Sequence, residues 1–208
     1  MAENHQKASP GGLRGFLDNI FRRSVHNQTV CPVGSAWVLD NFFRGWIHNP
    51  RKIFNGLVKE GMTVLDVGCG PGVFSIAMAE MVGKNGKVIA ADLQDGMLEK
   101  VKSKLNESNK AIIKLHKCGE ERIGVNEKVD FVLVFYVLHE VPSQEGFLRE
   151  IKSILKPGGR VLIIEPKFHV TEKAFEQSIS TATSIGFKGE NGPKVFGSRS
   201  VILKALSA

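Results

Sequence analysis

Short apolar runs alternate with helical patterns along most of this 208-residue chain, and that alternation leaves few folds open. Thr63–Val67, Lys87–Ala91, Ala111–Lys117, Asp130–Tyr136, Arg160–Glu165 and Ser200–Leu206 read as strands. Phe74–Val82, Gly96–Leu105, Gln144–Leu155 and Glu172–Ile185 place apolar residues at helical spacing between them. Strands that are nearly all apolar must be covered on both faces, and helices between consecutive strands supply the cover. Right-handed crossovers then make the strands parallel. The expectation is an α/β chain with a doubly wound, mostly parallel sheet. Lys156-Pro157-Gly158-Gly159 reads as the turn into the Arg160–Glu165 strand.

Three units are expected. Residues 1–12 are polar and read as a disordered terminus. Residues 13–49 read as a helical extension, with Phe16, Leu17, Ile20, Phe21 and Val25 before a break at Cys31-Pro32-Val33-Gly34, and Trp37, Val38, Phe42, Phe43 and Trp46 after it. Residues 50–208 form the sheet domain, opened by a helix from Pro50 that carries Ile53, Leu57 and Val58 on one face and stops at Gly61. The three cysteines, Cys31, Cys69 and Cys118, form no CxxC pair, which gives no zinc or disulfide framework and suits a reducing compartment. No apolar run approaches the roughly 20 residues that span a bilayer, and Met1–Gly12 has no apolar signal core. A cytoplasmic protein without membrane insertion is expected. Of the net charge of +7, the first 60 residues hold 8 Lys+Arg against 4 Asp+Glu. This excess is either a solvated basic face or an attraction for an anionic substrate or RNA.

The most informative stretch is Val64-Leu65-Asp66-Val67-Gly68-Cys69-Gly70-Pro71-Gly72, which follows a strand and opens a helix. Glycines at 68, 70 and 72 admit positive φ and close approach of a ligand to the backbone. The spacing is GxGxG. A dinucleotide loop wants GxGxxG, and Val73 stands where its third glycine belongs; no Gly-Lys-Ser/Thr follows to make a phosphate loop. A second carboxylate, Asp92, falls at the tip of the next strand, 20 residues after Gly72. It either starts the turn Asp92–Gly96 or accepts both hydroxyls of a ribose, and its pairing with the glycine loop in one strand–helix–strand unit favours the ribose.

These residues resemble class I S-adenosylmethionine (SAM)-dependent methyltransferases. Val64–Gly72 resembles motif I of that family and Val88–Asp92 the acidic segment after it. Asp130–Glu140 resembles the family's fourth strand, and Leu155–Leu162 the turn into its fifth. The likeness runs from about Pro50 to the end of the chain and is nearest the UbiE-like, or type 11, branch. It implies a seven-stranded sheet whose last strand is antiparallel, and SAM as cofactor with S-adenosylhomocysteine as product. Carried over residue by residue, Asp66 would fix the loop and reach the amino end of the methionine. The backbone of Gly68, Cys69 and Gly70 would line the methionine, with Gly72 completing the loop. Asp92 would hold the ribose, Leu93 would pack on the adenine, and Phe135 would sit beside the sulfonium. The family often has an acid after strand three that reads the adenine amino group. Here that place holds Cys118, followed by Gly119 and Glu120, so either Glu120 substitutes or backbone alone reads the base.

Methyl transfer needs alignment of a nucleophile with the methyl carbon and exclusion of water; a base is needed only if the nucleophile must lose a proton. His139 and Glu140 follow the fourth strand, at the rim where an acceptor would meet the methyl group. His139 is a candidate base or orienter, or else a histidine that only positions its loop; Glu140 is a further candidate, or a solvated or capping carboxylate. Glu165 ends the fifth strand and would face the same rim, where with Lys167 and His169 it would touch an acceptor, or else these residues form a surface turn around Pro166. Residues 13–49 would form a lid over the cleft, or a permanent helix packed elsewhere. A small-molecule acceptor is the first reading. RNA or protein methylation is the second, and Phe135-Tyr136-Val137-Leu138 lacks the Asn/Asp-Pro-Pro-Tyr/Phe signature that would favour it. A SAM-binding protein without catalysis is the third. No metal site is expected, and the oligomeric state is not legible in the sequence.

Overall fold

The computed structural model describes residues 49–206. The polar terminus 1–12 and residues 13–48 of the expected extension lie outside that range, and with them the lid. Helix α1 (Pro50–Ile53) is capped by the Asn49 side chain, which accepts from the Lys52 N–H, with Pro50 in the first turn where its missing donor costs nothing. The helix expected to reach Gly61 stops here, because Gly56 and Gly61 turn the chain at positive φ. Ile53, Leu57 and Val58 are nonetheless buried.

The order continues β1 (Thr63–Val67), α2 (Val73–Val82), β2 (Lys87–Asp92), α3 (Asp95–Ser103), β3 (Ile113–Lys117), β4 (Val129–Phe135), α4 (Gln144–Ile154), β5 (Leu155–Pro166), α5 (Glu172–Ser184), β6 (Phe187–Asn191) and β7 (Ser198–Ala205). The seven strands lie in the order β3-β2-β1-β4-β5-β7-β6. β1 to β5 pair in parallel, and β7 runs antiparallel to both β5 and β6. This is the doubly wound, mostly parallel sheet expected from the apolar runs. Strand β6 has no such signal: in Phe187-Lys188-Gly189-Glu190-Asn191 only Phe187 is buried, as suits an edge strand.

Period-two alternation sends each strand into two cores. In β4, Val132 and Val134 join Leu148, Ile151 and Phe175 of α4 and α5 on one face. Phe131, Leu133 and Phe135 join Phe54, Phe74, Met78 and Val101 on the other, beneath α1, α2 and α3. The Lys-Pro-Gly-Gly turn is an excursion within β5: Val129 pairs with Leu155 and Phe131 with Arg160, leaving the four residues between outside the register. Lys156 Nζ and the Thr63 N–H both bond Asp130, at 2.7 and 2.8 Å, so β1, β4 and β5 are clamped together at the end of the sheet away from the glycine loop.

Strand order reverses between β1 and β4, and ligands of open α/β sheets bind at the carboxyl ends of the strands that diverge there. Phe54 anchors the approach to β1, fully buried and edge-on to Phe74 and Phe131 at 5.7 and 6.2 Å. Phe54→Ala is expected to destabilise the domain by about 3–5 kcal/mol, the cost of a large cavity in a packed core. Urea unfolding checks this, and a loss under about 1 kcal/mol would mean that the segment before β1 is not part of the core.

Candidate active site

The glycine loop leaves β1 with its three glycines at φ 66, 52 and 84°. Each of the outer two has a packing reason besides. A Cβ on Gly68 would overlap Val137 Cγ2, and one on Gly72 would lie 2.9 Å from Val101 Cγ2 of α3. The loop stays tied to the sheet, since the Cys69 N–H bonds Ala91 O of β2 at 3.0 Å. Asp66 of β1 is only 2 % exposed and accepts from Ser75 Oγ of α2 at 2.5 Å.

Asp92 ends β2 with 7 % exposure. Its Oδ2 accepts from the Gly70 N–H at 2.9 Å and its Oδ1 from the Gln94 N–H at 2.8 Å. Burial raises its pKa, opposed by these backbone donors and by Lys117. A carboxylate offers about four acceptor sites, so with the backbone donors of Gly70, Gln94 and Leu93 in place the group keeps capacity for a further donor. A sugar hydroxyl supplies that complement, and the residues present therefore fit a nucleoside ribose. Leu93 is half-buried beside it, its carbonyl accepting from Lys117 Nζ at 2.6 Å. Cys118 follows β3, its N–H bonded to Asp92 O at 3.0 Å. Gly119 and Glu120 are exposed, with the Gly119 N–H bonded to Arg122 O. The thiols are held protonated: burial, then Asp66 and Asp92, push Cys69 far up, and burial, then Asp92, push Cys118 up to about 12. Neither is a nucleophile or a ready metal ligand, and among the described residues no cluster of His, Cys, Asp or Glu could hold a metal ion.

Across the reversal, β4 ends at Phe135, whose ring lies 4.5 Å from Phe74 and 4.2 Å from Tyr136. Tyr136 has φ 60°, the left-handed conformation that a bulky side chain rarely adopts. It costs about 1–3 kcal/mol and persists only where surrounding contacts over-determine it. Those contacts are a 2.6 Å hydrogen bond between the Tyr136 and Ser198 hydroxyls and the Tyr136 N–H on Ile164 O at 2.9 Å. Two residues on, the chain reaches Glu165, 2 % exposed at the tip of β5. Glu165 Oε1 accepts the Leu138 N–H at 3.0 Å, and Oε2 bonds His139 Nδ1. A carboxylate only accepts, so Nδ1 carries the proton and Nε2 of the neutral ring keeps its lone pair. Nε2 lies 4.0 Å from Glu140 Oε1. Burial alone would lower the His139 pKa; the hydrogen bond and charge of Glu165, with the charge of Glu140, outweigh it and leave the net value above the ordinary 6.5. His139 and Glu165 open on a cavity of about 220 Å³ shared with Gln144 and His169, whose ring lies 5.2 Å from that of His139.

A family described as a methyltransferase domain matches residues 58–192, from the turn before β1 to the loop after β6. The chain belongs to that methyltransferase family. The demethylmenaquinone methyltransferase of Lactococcus lactis subsp. lactis is 37 % identical to it over 120 residues, covering 56 % of this chain and 48 % of that protein. The enzyme of the same name from Bacillus velezensis is 36 % identical over 109 residues, covering 52 and 47 %. The chain thus spans about half the length of the curated relatives it matches. A SAM-dependent methyltransferase from Aquifex aeolicus superposes with a TM-score of 0.73 at 27 % identity, over 85 % of this chain and 100 % of that one. A TehB-like SAM-dependent methyltransferase from Corynebacterium glutamicum shares the fold, with a TM-score of 0.61 at 16 % identity over 93 and 100 %.

In this methyltransferase domain the expected loop and strand-tip residues gather at one end of the sheet, in two groups: Asp66, Gly68–Gly72, Asp92 and Cys118 beside β1 to β3, and Phe135, His139, Glu140 and Glu165 beside β4 and β5. Sequence reasoning missed Tyr136 and Ser198. Tyr136 is the only tyrosine of the chain, but nothing in the sequence marks a left-handed turn there. Ser198 reaches it only through the antiparallel pairing of β7. The raised His139 pKa has a consequence for stability. Its contribution is full below the ordinary value and is lost as pH rises through the higher folded value. The melting-temperature advantage of the wild type over His139→Gln should therefore shrink between about pH 5.5 and 8.5; an advantage constant across that range would refute the pairing.

Proposed function

We propose that the chain is a SAM-dependent methyltransferase acting on a small-molecule acceptor. The observation that carries the reading is Asp92: a buried carboxylate at the tip of β2, bonded to the glycine loop and with acceptor capacity left for a ribose. Asp66 and the backbone of Gly68–Gly70 would hold the methionine end, Asp92 the ribose, and Leu93 with the Cys118–Glu120 backbone the adenine edge. Bound SAM supplies a methyl group on a sulfonium, already activated toward an in-line nucleophile. The protein's share is alignment, exclusion of water and disposal of a proton.

The acceptor belongs on the β4–β5 side. His139 there has Nδ1 committed to Glu165 and Nε2 available to take a proton, the arrangement of a general base held in one tautomer. Glu165 is a positioning residue, and Glu140 adds negative charge that favours the protonated ring. A small molecule is favoured over RNA or protein because the relatives are named for demethylmenaquinone, itself a small molecule.

Two measurements test the reading. Asp92→Ala should weaken S-adenosylhomocysteine binding by about 1.5–3 kcal/mol, the value of hydrogen bonds to a charged group, in a variant that still unfolds cooperatively. Calorimetry that finds wild-type affinity in this variant would remove the ribose role. With an acceptor whose nucleophile carries a proton, kcat should rise with pH through the His139 pKa. His139→Gln should lower kcat by about 10²-fold or more at unchanged S-adenosylhomocysteine affinity. Glu165→Gln removes the larger of the two influences that raise that pKa, leaving Glu140, and should shift the inflection downward; an inflection that stays in place would exclude the pair.

A further inference from the structure

Among the described residues, the large apolar side chains left in solvent are Phe168 at 71 %, Phe196 at 78 % and Leu206 at 54 %. The two phenylalanines stand on neighbouring loops, one after β5 and one before β7. The Lys167 N–H bonds Gly197 O at 2.9 Å, and Arg199 Nη1 bonds Val170 O at 2.9 Å, so the loops form one rim. Pro166 ends β5 and pairs with Ser198, which begins β7, and this sets both tips above the carboxyl end of β5, where Glu165 holds His139. Residues 166–171 and 192–200 contain Lys167, Lys194 and Arg199 and no Asp or Glu. Lys167 and Lys194 line a cavity of about 560 Å³ that Phe196 also borders.

An exposed phenyl ring forgoes the free energy of its burial, and adjoining apolar groups at a polar rim mark an interaction surface. Here the apolar groups are two loop tips whose own loops, 166–171 and 192–200, carry three cations and no carboxylate; Glu165 before the first loop is buried, and Glu172 after it opens α5. That is the chemistry of the bilayer interface: aromatic rings enter the boundary between headgroups and acyl chains, while lysines meet anionic headgroups.

We propose that the Phe168–Phe196 rim docks the protein on an anionic lipid surface, with the lysine-lined cavity receiving a phosphodiester headgroup. Docked so, the β4–β5 side of the domain faces the bilayer, and an apolar acceptor enters from the lipid phase. This last consequence, unlike the docking, rests on the methyl-transfer reading above.

Sedimentation of the full chain with phosphatidylglycerol–phosphatidylcholine vesicles, and with pure phosphatidylcholine vesicles, tests the proposal. Binding to the anionic vesicles is expected to be at least about tenfold tighter. Phe168→Ser with Phe196→Ser should cost at least about tenfold, and Lys167→Gln with Lys194→Gln about fivefold per lysine together with part of the salt dependence. Phe168→Trp with Phe196→Trp should retain binding, because tryptophan favours the same interface. S-adenosylhomocysteine calorimetry on each variant reports an intact fold, and its outcome in the wild type judges the methyltransferase reading separately. Failure of the wild type to bind anionic vesicles overturns the proposal. Binding that the serine pair leaves unchanged also overturns it, and assigns the affinity to basic residues elsewhere, such as the first 60. Two further results overturn it when vesicles are not bound. Loss of oligouridylate binding in the serine pair assigns the rim to RNA, and a lowered melting temperature in that pair assigns it to cover by the chain's own residues 1–48.

Discussion

Gly68 carries no side chain because Val137 occupies the place that one would take. That contact joins the two halves of the sheet where they diverge. β1, β2 and β3 run out from it in one direction, and β4, β5, β7 and β6 in the other. A parallel sheet that reverses its order leaves a crevice at the reversal, and the depth of the crevice depends on how closely the loops above β1 and β4 approach. With glycine on one side and a β-branched side chain on the other, the two loops touch. Everything the site does then depends on positions fixed from this contact outward.

Three buried carboxylates lie on β1, β2 and β5, each with different partners. Asp66 takes the hydroxyl of Ser75, so its partner is structural. Asp92 takes backbone donors from both sides of the β2 turn and keeps capacity for more. Glu165 takes one backbone donor and one imidazole. A carboxylate left without donors at this burial would be protonated or would destabilise the fold, so the identity of its donors indicates its use. In the proposed reading, backbone donors would leave Asp92 available to a ligand, and Glu165 would raise the proton affinity of His139. The left-handed Tyr136 is the local cost of bringing these groups together. Without that turn, the chain leaving β4 would continue along the strand and carry His139 past Glu165.

The sequence determined much of this. Six of the seven strands were legible: most from apolar runs, because a strand covered on both faces leaves a continuous apolar signature, and β3 from its alternation. The glycine spacing and the two aspartates marked the loop and the β2 tip, since both belong to one strand–helix–strand unit in which chain distance and spatial distance run together. His139 and Glu165 were each legible as residues of the rim. Tertiary structure alone decided that these two pair, that Val137 packs on Gly68, that Tyr136 adopts a left-handed turn held by Ser198, and that β6 completes the edge. In each case the partners come from separate strands, 26 residues apart for His139 and Glu165 and 62 for Tyr136 and Ser198. No local pattern encodes such a meeting; it follows from the register of β4, β5 and β7, which is set by the packing of their side chains into two cores.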